Sequence, residues 1–465
     1  MSLKVPEEGS HRALSWAGSP AHELAAQAWP VVVSLLSYAA MAVSTTLFVG
    51  HLGAAAIAAV GIGTTAAFTL LCFGFGLLRG LKTLAAQAKG AGRDEDGGRL
   101  LGAGLASGVA LGTLVVVLGL GLAELIPSLS ASAEAGELAA TFLRLRLLSA
   151  PALLGFVALR EYRYGIADSR GPMVASVASN LIAIVLNAIL IRGLDLGVAG
   201  AALSIAIAEV LGLAILIAVQ ARDGFKGVRV DRQTLRELVS IGAPTGVQFT
   251  LEVGSFSVLA AIIASMSEAE MAAHQITLQM IHFAFLPAVG LGEAACVLVG
   301  EAVGAHRDDL VNPVARVAAK LAAGYALFCT VIMVLGGGWL TEAFTTDLEV
   351  AHEARKIGWV ACAFLVADAI NVVARGALRG TGDVKKPAVI GIVTSWLATP
   401  PLAWLLGHAL GFGAVGAWIG LAVEIIVGAA LLWRRLSNGH WRTEAQASRT
   451  RLSTRVAVVV PAEAS

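Results

Sequence analysis

The sequence predicts an all-α membrane protein, with twelve transmembrane helices in two pseudo-symmetric six-helix lobes. Three observations predict it. Of 465 residues 57% are hydrophobic and only 14% charged, against roughly 25% charged in soluble domains. A water-soluble fold could not cover that much apolar surface without large exposed patches, so a bilayer is the simpler solvent. The apolar residues gather into runs of about 18–25, the length that crosses a hydrocarbon core. The chain also repeats itself at an offset of 214: Pro30 recurs as Pro244, and Gln87, Gly90, Arg93 and Asp94 recur as Glu301, Gly304, Arg307 and Asp308. Tyr38 and Glu252 are partners in this repeat. Gly165, Asp168 and Pro172 recur one residue later, as Gly380, Asp383 and Pro387, and Gly197 and Gly200 recur as Gly413 and Gly416. So long a period means two copies of one large unit, the architecture of many secondary transporters, whose sites lie between the copies.

Each run has its own justification. Residues 1–28 form a polar tail without the apolar core of a cleaved signal peptide, so insertion depends on the first run, Trp29–Val49. The second, Ile57–Leu78, leads into Gly74, Gly76 and Gly80, which lack a phosphate loop's Gly-Lys-Ser/Thr and read as places of close helix packing. Leu100–Ile126, Phe142–Leu159, Pro172–Ile191 and Gly197–Val219 complete the first lobe, 29–219. A polar, basic linker, 220–237, joins it to the second lobe, 238–433. There the runs are Leu238–Ala264, Ala272–Leu298, Val314–Leu340, Ile357–Ala374, Pro387–Leu406 and Phe412–Trp433. Pro287 in the eighth run, and Pro400 and Pro401 in the eleventh, each remove a backbone hydrogen bond and should bend their helices. The basic tail, 434–465, is rich in Ser, Thr and Ala and is expected to be disordered, resting against anionic lipid. Six spans per copy make the copies parallel, related by an axis along the membrane normal.

Lys and Arg set the orientation. One set of loops carries Arg79, Lys82, Lys89, Arg93 and Arg99, then Arg160, Arg163 and Arg170, then the basic linker, then Arg375, Arg379, Lys385 and Lys386. The opposite side has only Arg144, Arg146, Arg192, Arg355 and Lys356. The positive-inside rule places both termini in the cytoplasm, in a multi-pass protein of the plasma (bacterial inner) membrane. Net charge is +1, which implies no nucleic-acid partner. Cys72, Cys296, Cys329 and Cys362 lie in apolar runs without metal or disulfide spacing, as small buried hydrophobes do. No cofactor motif and no cluster of catalytic groups is visible, so the chain is not read as an enzyme.

A charge at mid-bilayer costs about 2.5–3.5 kcal/mol on insertion scales. Four acids stand there: Glu209, Glu252, Asp368 and Glu424. Glu252 has Gln248 one turn before it, and Asp368 has Asn371 three residues on. Gln275, Gln279 and His282 form a polar stripe on the eighth helix. Lipid cannot satisfy such groups, so they should face a cavity or one another. Paired carboxylates there would hold a proton or coordinate Na+ through oxygen, and would attract a cationic substrate. Glu209 and Glu424 occupy near-corresponding places in the sixth and twelfth helices and read as helix-packing residues. His274 and His282 read as bonded to neighbouring helices before they read as proton carriers.

Phe48-Val-Gly-His-Leu-Gly53, Ala272-Ala-His-Gln-Ile276, Val299-Gly-Glu-Ala-Val-Gly-Ala305 and Ala377-Leu-Arg-Gly-Thr-Gly-Asp383 followed by Pro387 together resemble the multidrug and toxic compound extrusion (MATE) family. The likeness runs from about Leu24 to Trp433. It implies two six-helix lobes around a cleft, rocking between outward- and inward-facing states, and export of organic cations against Na+ or H+. It also implies that Glu252 and Asp368 form the second-lobe cation site of the NorM-like branch, as Na+ ligands if sodium is the driving ion. Where many members carry a first-helix aspartate this chain has Thr45; where some carry a fifth-helix acid the nearest match is Asn187. With Tyr38 uncharged as well, coupling is expected in the second lobe alone.

The resulting expectation is a monomeric exporter of cationic amphipathic small molecules, surrounded by membrane lipid. Glu252 and Asp368 bind the coupling ion, while Gln248, Gln275, Gln279, His282, Asn371, Tyr38, Thr45 and Asn187 line the substrate cavity. Alternatives are a flippase of lipid-linked oligosaccharides, kept open by Arg316 and Lys320 early in the ninth helix, a degenerate transporter, and a non-transporting membrane protein.

Overall fold

The computed structural model describes residues 13–130 and 132–459. Among the described residues the regular structure is helical, with no strand. In order the helices are α1 (Pro20–Gly50), α2 (Ala54–Gly90), α3 (Gly97–Leu129), α4 (Ala133–Leu147), α5 (Ala150–Gly165), α6 (Arg170–Asn187) and α7 (Gly197–Asp223). They continue as α8 (Arg232–Ala264), α9 (Glu268–Gly304), α10 (Val311–Phe344), α11 (Leu348–Gly380), α12 (Lys385–Leu402), α13 (Gly413–Ser437) and α14 (Arg442–Val459). Eleven are long and apolar enough to cross a membrane, and twelve spans result when α4 and α5, bent by 49°, count as one. Leu335, Trp339 and Leu397 are each more than 70% exposed, a surface that suits hydrocarbon and not water.

Four local features depart from the apolar runs. The fourth span is two helices, broken at Leu148 and Ser149, because Pro151 in the first turn of α5 has no N–H to offer the preceding turn. α2 and α9 run on to Gly90 and Gly304, well past the apolar residues, since helical hydrogen bonding does not stop where hydropathy does. α1 begins at Pro20, and Trp16 ahead of it is buried, so the N-terminal segment expected as a tail is partly packed. The C-terminal segment expected to be disordered is helical over Arg442–Val459. Trp441, Ala445 and Ser448, spaced at i, i+4 and i+7, are all buried there, so a narrow apolar stripe docks an otherwise polar helix. Val456–Val459 belong to this helix, while Val460 lies outside the described residues.

The chain forms two compact units. Of the described residues, one unit comprises those in Pro30–Ala85 and Glu95–Thr250, and the other those up to Trp29, Ala86–Asp94 and those from Leu251 on. The boundaries therefore cut α1, α2 and α8. In the first unit, Gly76 and Gly80 of α2 lie against Gly246 and Gly242 of α8, where a Cβ on Gly242 would sit 2.0 Å from the Leu77 carbonyl oxygen. The glycine cluster does serve close helix packing. In the second unit, α9 and α11 meet through Gly292 and Gly376, and a Cβ on Gly376 would sit 2.1 Å from the Gly292 oxygen. Its core gathers Leu259, Ile263, Ile357, Phe364 and Trp418.

The repeat is visible in the backbone. Left-handed residues recur at the sequence offsets: Gly92 and His306, Ala167 and Gly382, Asp195 and Gly411, Gly197 and Gly413. α6 and α12 both end in a π-helical turn, Ala188–Gly193 and Ala403–Ala409. The first of these has no proline, so the widened turn after Pro400 and Pro401 belongs to the repeated unit and is not a proline effect.

Candidate functional site

The second unit assembles a charged cluster from four helices. α11 is fixed against α9 by the Gly292–Gly376 approach, and along one of its faces stand Asp368, Asn371 and Arg375, at i, i+3 and i+7. α8 contributes Glu252, α12 contributes Thr399 and α13 contributes Glu424. On α13 the acid sits between Gly420 and Gly428, one turn to either side. Gly420 packs on the Thr399 region of α12 and Gly428 on Asn371 of α11. The small residues thereby turn the Glu424 face inward, toward α12 and α11.

Arg375 organises the cluster. Its Nη1 donates to both carboxylate oxygens of Glu252, at 2.6 and 2.8 Å, and its Nε donates to Asn371 Oδ1 at 2.7 Å. Asn371 is buried and its amide donates to the Ile425 carbonyl oxygen at 3.3 Å. Glu424 accepts from the Thr399 hydroxyl and lies within Coulombic range of Glu252, Asp368 and Arg375. Asp368 is partly buried, with Arg375 as its electrostatic neighbour, and no hydrogen-bond donor reaches it among the described residues. Three carboxylates thus share one guanidinium, a formal surplus of two negative charges. Among the described residues no three acidic, His or Cys groups stand close enough to enclose a metal ion. A bare cation would therefore find at most two carboxylates at once.

The corresponding helices of the first unit hold no such surplus. Glu209 receives Arg146 on both oxygens, at 2.7 and 2.6 Å, and the Ser149 hydroxyl at 2.6 Å. Thr45 and Asn187 are buried, not presented to a cavity as expected. Asn187 donates to Thr45 Oγ1 at 2.8 Å and accepts from Ser204 at 2.5 Å. A neutral, satisfied triad stands where acids were sought. Tyr38 is 53% exposed, in the Coulombic range of Arg146 and Glu209.

The other sequence candidates divide. Gln248 is buried, one helical turn before Glu252 on α8. Gln275, Gln279 and His282 are exposed along one stripe of α9 and take no part in the charged cluster. His274 is fully buried and its Nδ1 accepts from the Trp418 indole at 3.0 Å, so it bonds to the neighbouring helix. Basic residues assigned to loops, among them Arg79, Lys89, Arg146, Arg160, Arg163 and Arg379, lie within helices, and two more make buried or part-buried ion pairs. Arg375 lies within α11 and points at Glu252. Lys82 lies within α2, is wholly buried and pairs with Glu161 at 3.0 Å. The spacing from Asp368 to Asn371 to Arg375 was the available signal for the first. The helix-packing role expected for Glu209 and Glu424 fits both in that each bonds a neighbouring helix, and Glu424 also stands in the acidic cluster.

Comparison with known proteins agrees with this architecture. The MatE family model matches residues 30–189 and 244–405. A probable multidrug resistance protein NorM of Bradyrhizobium diazoefficiens is 30% identical over 451 residues, 91% of this chain and 96% of its own length. One of Rhodopseudomonas palustris is 32% identical over 429 residues, covering 88% and 90%. Among solved structures, an outward-facing multidrug resistance MATE family transporter of the MOP superfamily superposes with a TM-score of 0.85 at 20% identity, over 93% of this chain and 97% of that one. The eukaryotic MATE transporter AtDTX14 gives 0.85 at 21%, over 94% and 98%.

Proposed function

Since the chain belongs to the MATE family, we propose that it is a secondary active multidrug efflux transporter of the bacterial inner membrane. Both termini are cytoplasmic, and amphipathic organic cations leave by antiport with Na+ or H+ as the two lobes alternate in access. The observation that carries this reading is the surplus of carboxylate over guanidinium among Glu252, Asp368, Glu424 and Arg375. Excess negative charge inside a membrane is costly unless a cation or proton joins it. A site that must be neutralised, and that organic cations also seek, is one at which ion and substrate exclude each other. Each would favour a different packing of the helices, which is how a ligand shifts a conformational equilibrium. In the second unit the exposed Gln275, Gln279 and His282 stripe supplies polar contacts for an organic cation.

The flippase reading needs a basic cavity for a pyrophosphate. Arg316 and Lys320 are exposed on the first turns of α10, and Lys82 and Arg160 both converge on Glu161, so it has less support. The test is ethidium efflux from vesicles under an imposed pH or Na+ gradient. Asp368→Asn and Glu252→Gln are each expected to lower gradient-driven efflux about tenfold or more, the ordinary scale of a coupling energy. Wild-type rates in both variants would overturn the coupling assignment.

A further inference from the structure

We propose that Arg375 is a tethered cation that occupies Glu252 in place of the coupling ion, so that Glu424 joins Asp368 as the exchangeable cation site. This rests on the ion-coupled reading above and changes which residues carry it.

Geometry commits the arginine to Glu252. One guanidinium nitrogen spans both carboxylate oxygens, and a second is anchored on Asn371, itself held by the α13 backbone. Charge-assisted bonds of this length are about twice as strong as neutral ones and hold the carboxylate engaged. An entering Na+ or proton would have to displace them. Asp368 has no donor, and Glu424 has one neutral hydroxyl, from Thr399. The two surplus charges therefore fall on Asp368 and Glu424.

The repeat makes the reassignment specific. One residue out of register with Glu424 the first unit has Glu209, which owns a bidentate arginine and a serine. The second unit has no arginine at the place of Arg146; Val360 and Ala361 stand there. Its own arginine reaches another acid, Glu252, at the place of Tyr38. A packing acid in one copy has become an uncompensated acid in the other.

Other charged groups of the surrounding helices are engaged elsewhere or exposed. Glu293 of α9 pairs with Arg379 of α11. Arg316 and Lys320 are exposed at the start of α10, and Lys385 and Lys386 are exposed at the start of α12. Arg435, at the end of α13, pairs with Asp383. His274 of α9 faces Trp418.

The two candidate ion sites predict opposite results for one double variant. Glu252→Gln alone releases Arg375, which then neutralises Asp368, so it impairs coupling under either assignment. Glu252→Gln with Arg375→Gln removes the pair together and leaves Asp368 and Glu424 as they are. Ethidium efflux from vesicles holding the full-length protein, over a range of external pH and Na+, is expected to recover in the double variant to within a few-fold of wild type. Glu424→Gln is expected to lose about tenfold in gradient-driven efflux while keeping downhill ethidium exchange, which shows that it is folded. An uncoupled double variant that still exchanges ethidium downhill, or a coupled Glu424→Gln, overturns the inference. If the double variant also fails in downhill exchange, the outcome for Glu424→Gln decides alone. A wild-type protein indifferent to both gradients overturns the ion-coupled reading itself, and a coupled wild type separates the two failures.

Discussion

The two repeats place an acid at nearly the same point of their last spanning helix and treat it differently. Glu209 is closed off by Arg146 and Ser149, while Glu424 keeps only a threonine hydroxyl. Ahead of them, Tyr38 in one repeat is Glu252 in the other. Thr45, Asn187 and Ser204 satisfy one another without charge, whereas Asp368 has no donor. The two copies share one scaffold and differ in which acid a single arginine engages.

Removing the arginine of the first repeat should break this contrast most severely. Arg146→Gln leaves Glu209 buried with one hydroxyl, the condition of Glu424, and losing one partner of a buried pair costs about 3–5 kcal/mol. A large fall in the thermal midpoint of the detergent-solubilised protein is expected, measured by unfolding fluorescence. Glu209→Gln added to Arg146→Gln should restore most of the loss, because no unpaired charge remains. A single variant as stable as wild type would mean that the ion pair is incidental, and the contrast between the repeats would lose its physical basis.

How much of this was legible in the sequence follows from which force decides each feature. The spans and their number were readable because the bilayer imposes apolar length directly. Glu252 and Asp368 were readable because a mid-span charge needs a reason. Arg375 was not, since its distance from the apolar core of the run made it resemble a loop cation. Its reach to Glu252, 123 residues away, is tertiary. Glu424 was half readable: its bond to a neighbouring helix follows from its symmetry with Glu209, but its nearness to Glu252 and Asp368 is tertiary. The break at Pro151 was present in the residues and was masked by the even hydropathy around it.

A second contrast lies at the chain ends of the two repeats. α7 leads into a linker whose Gly227 and Arg229 backbone covers Gly98 and Gly102 at the start of α3. α13 leads into α14, which covers the end of α9: Arg449 donates to the Val303 carbonyl oxygen and to Asp308, and Arg93 donates to the Leu452 carbonyl oxygen. Trp441 is the buried anchor of that helix. Trp441→Ala is expected to cost about 3 kcal/mol, the low end for a large aromatic in a packed site, read as a lower thermal midpoint. The same loss should appear when the chain stops after Ser437. An unchanged midpoint in both would show that α14 only rests on the surface.

The smallest expected effect sits in a turn that both repeats share. Ala167 and Gly382 follow the fifth and eleventh helices at equivalent places, with φ of 64° and 85°. A left-handed residue bearing a Cβ costs roughly 1–2 kcal/mol, and glycine at the same place recovers this at an entropic cost of about 0.5–1 kcal/mol in the unfolded chain. Ala167→Gly should therefore raise stability by at most about 1.5 kcal/mol. Gly382→Ala should lower it by more than that gain, because a Cβ there would also sit 2.6 Å from Ser448 Oγ of α14. The excess identifies its own cause. In a chain that stops after Ser437 the serine is absent, so the penalty of Gly382→Ala should shrink to the backbone strain alone. An equal penalty with and without α14 would show that the helix yields to the methyl group, and the turns of the two repeats would then be alike in energy as well as in backbone.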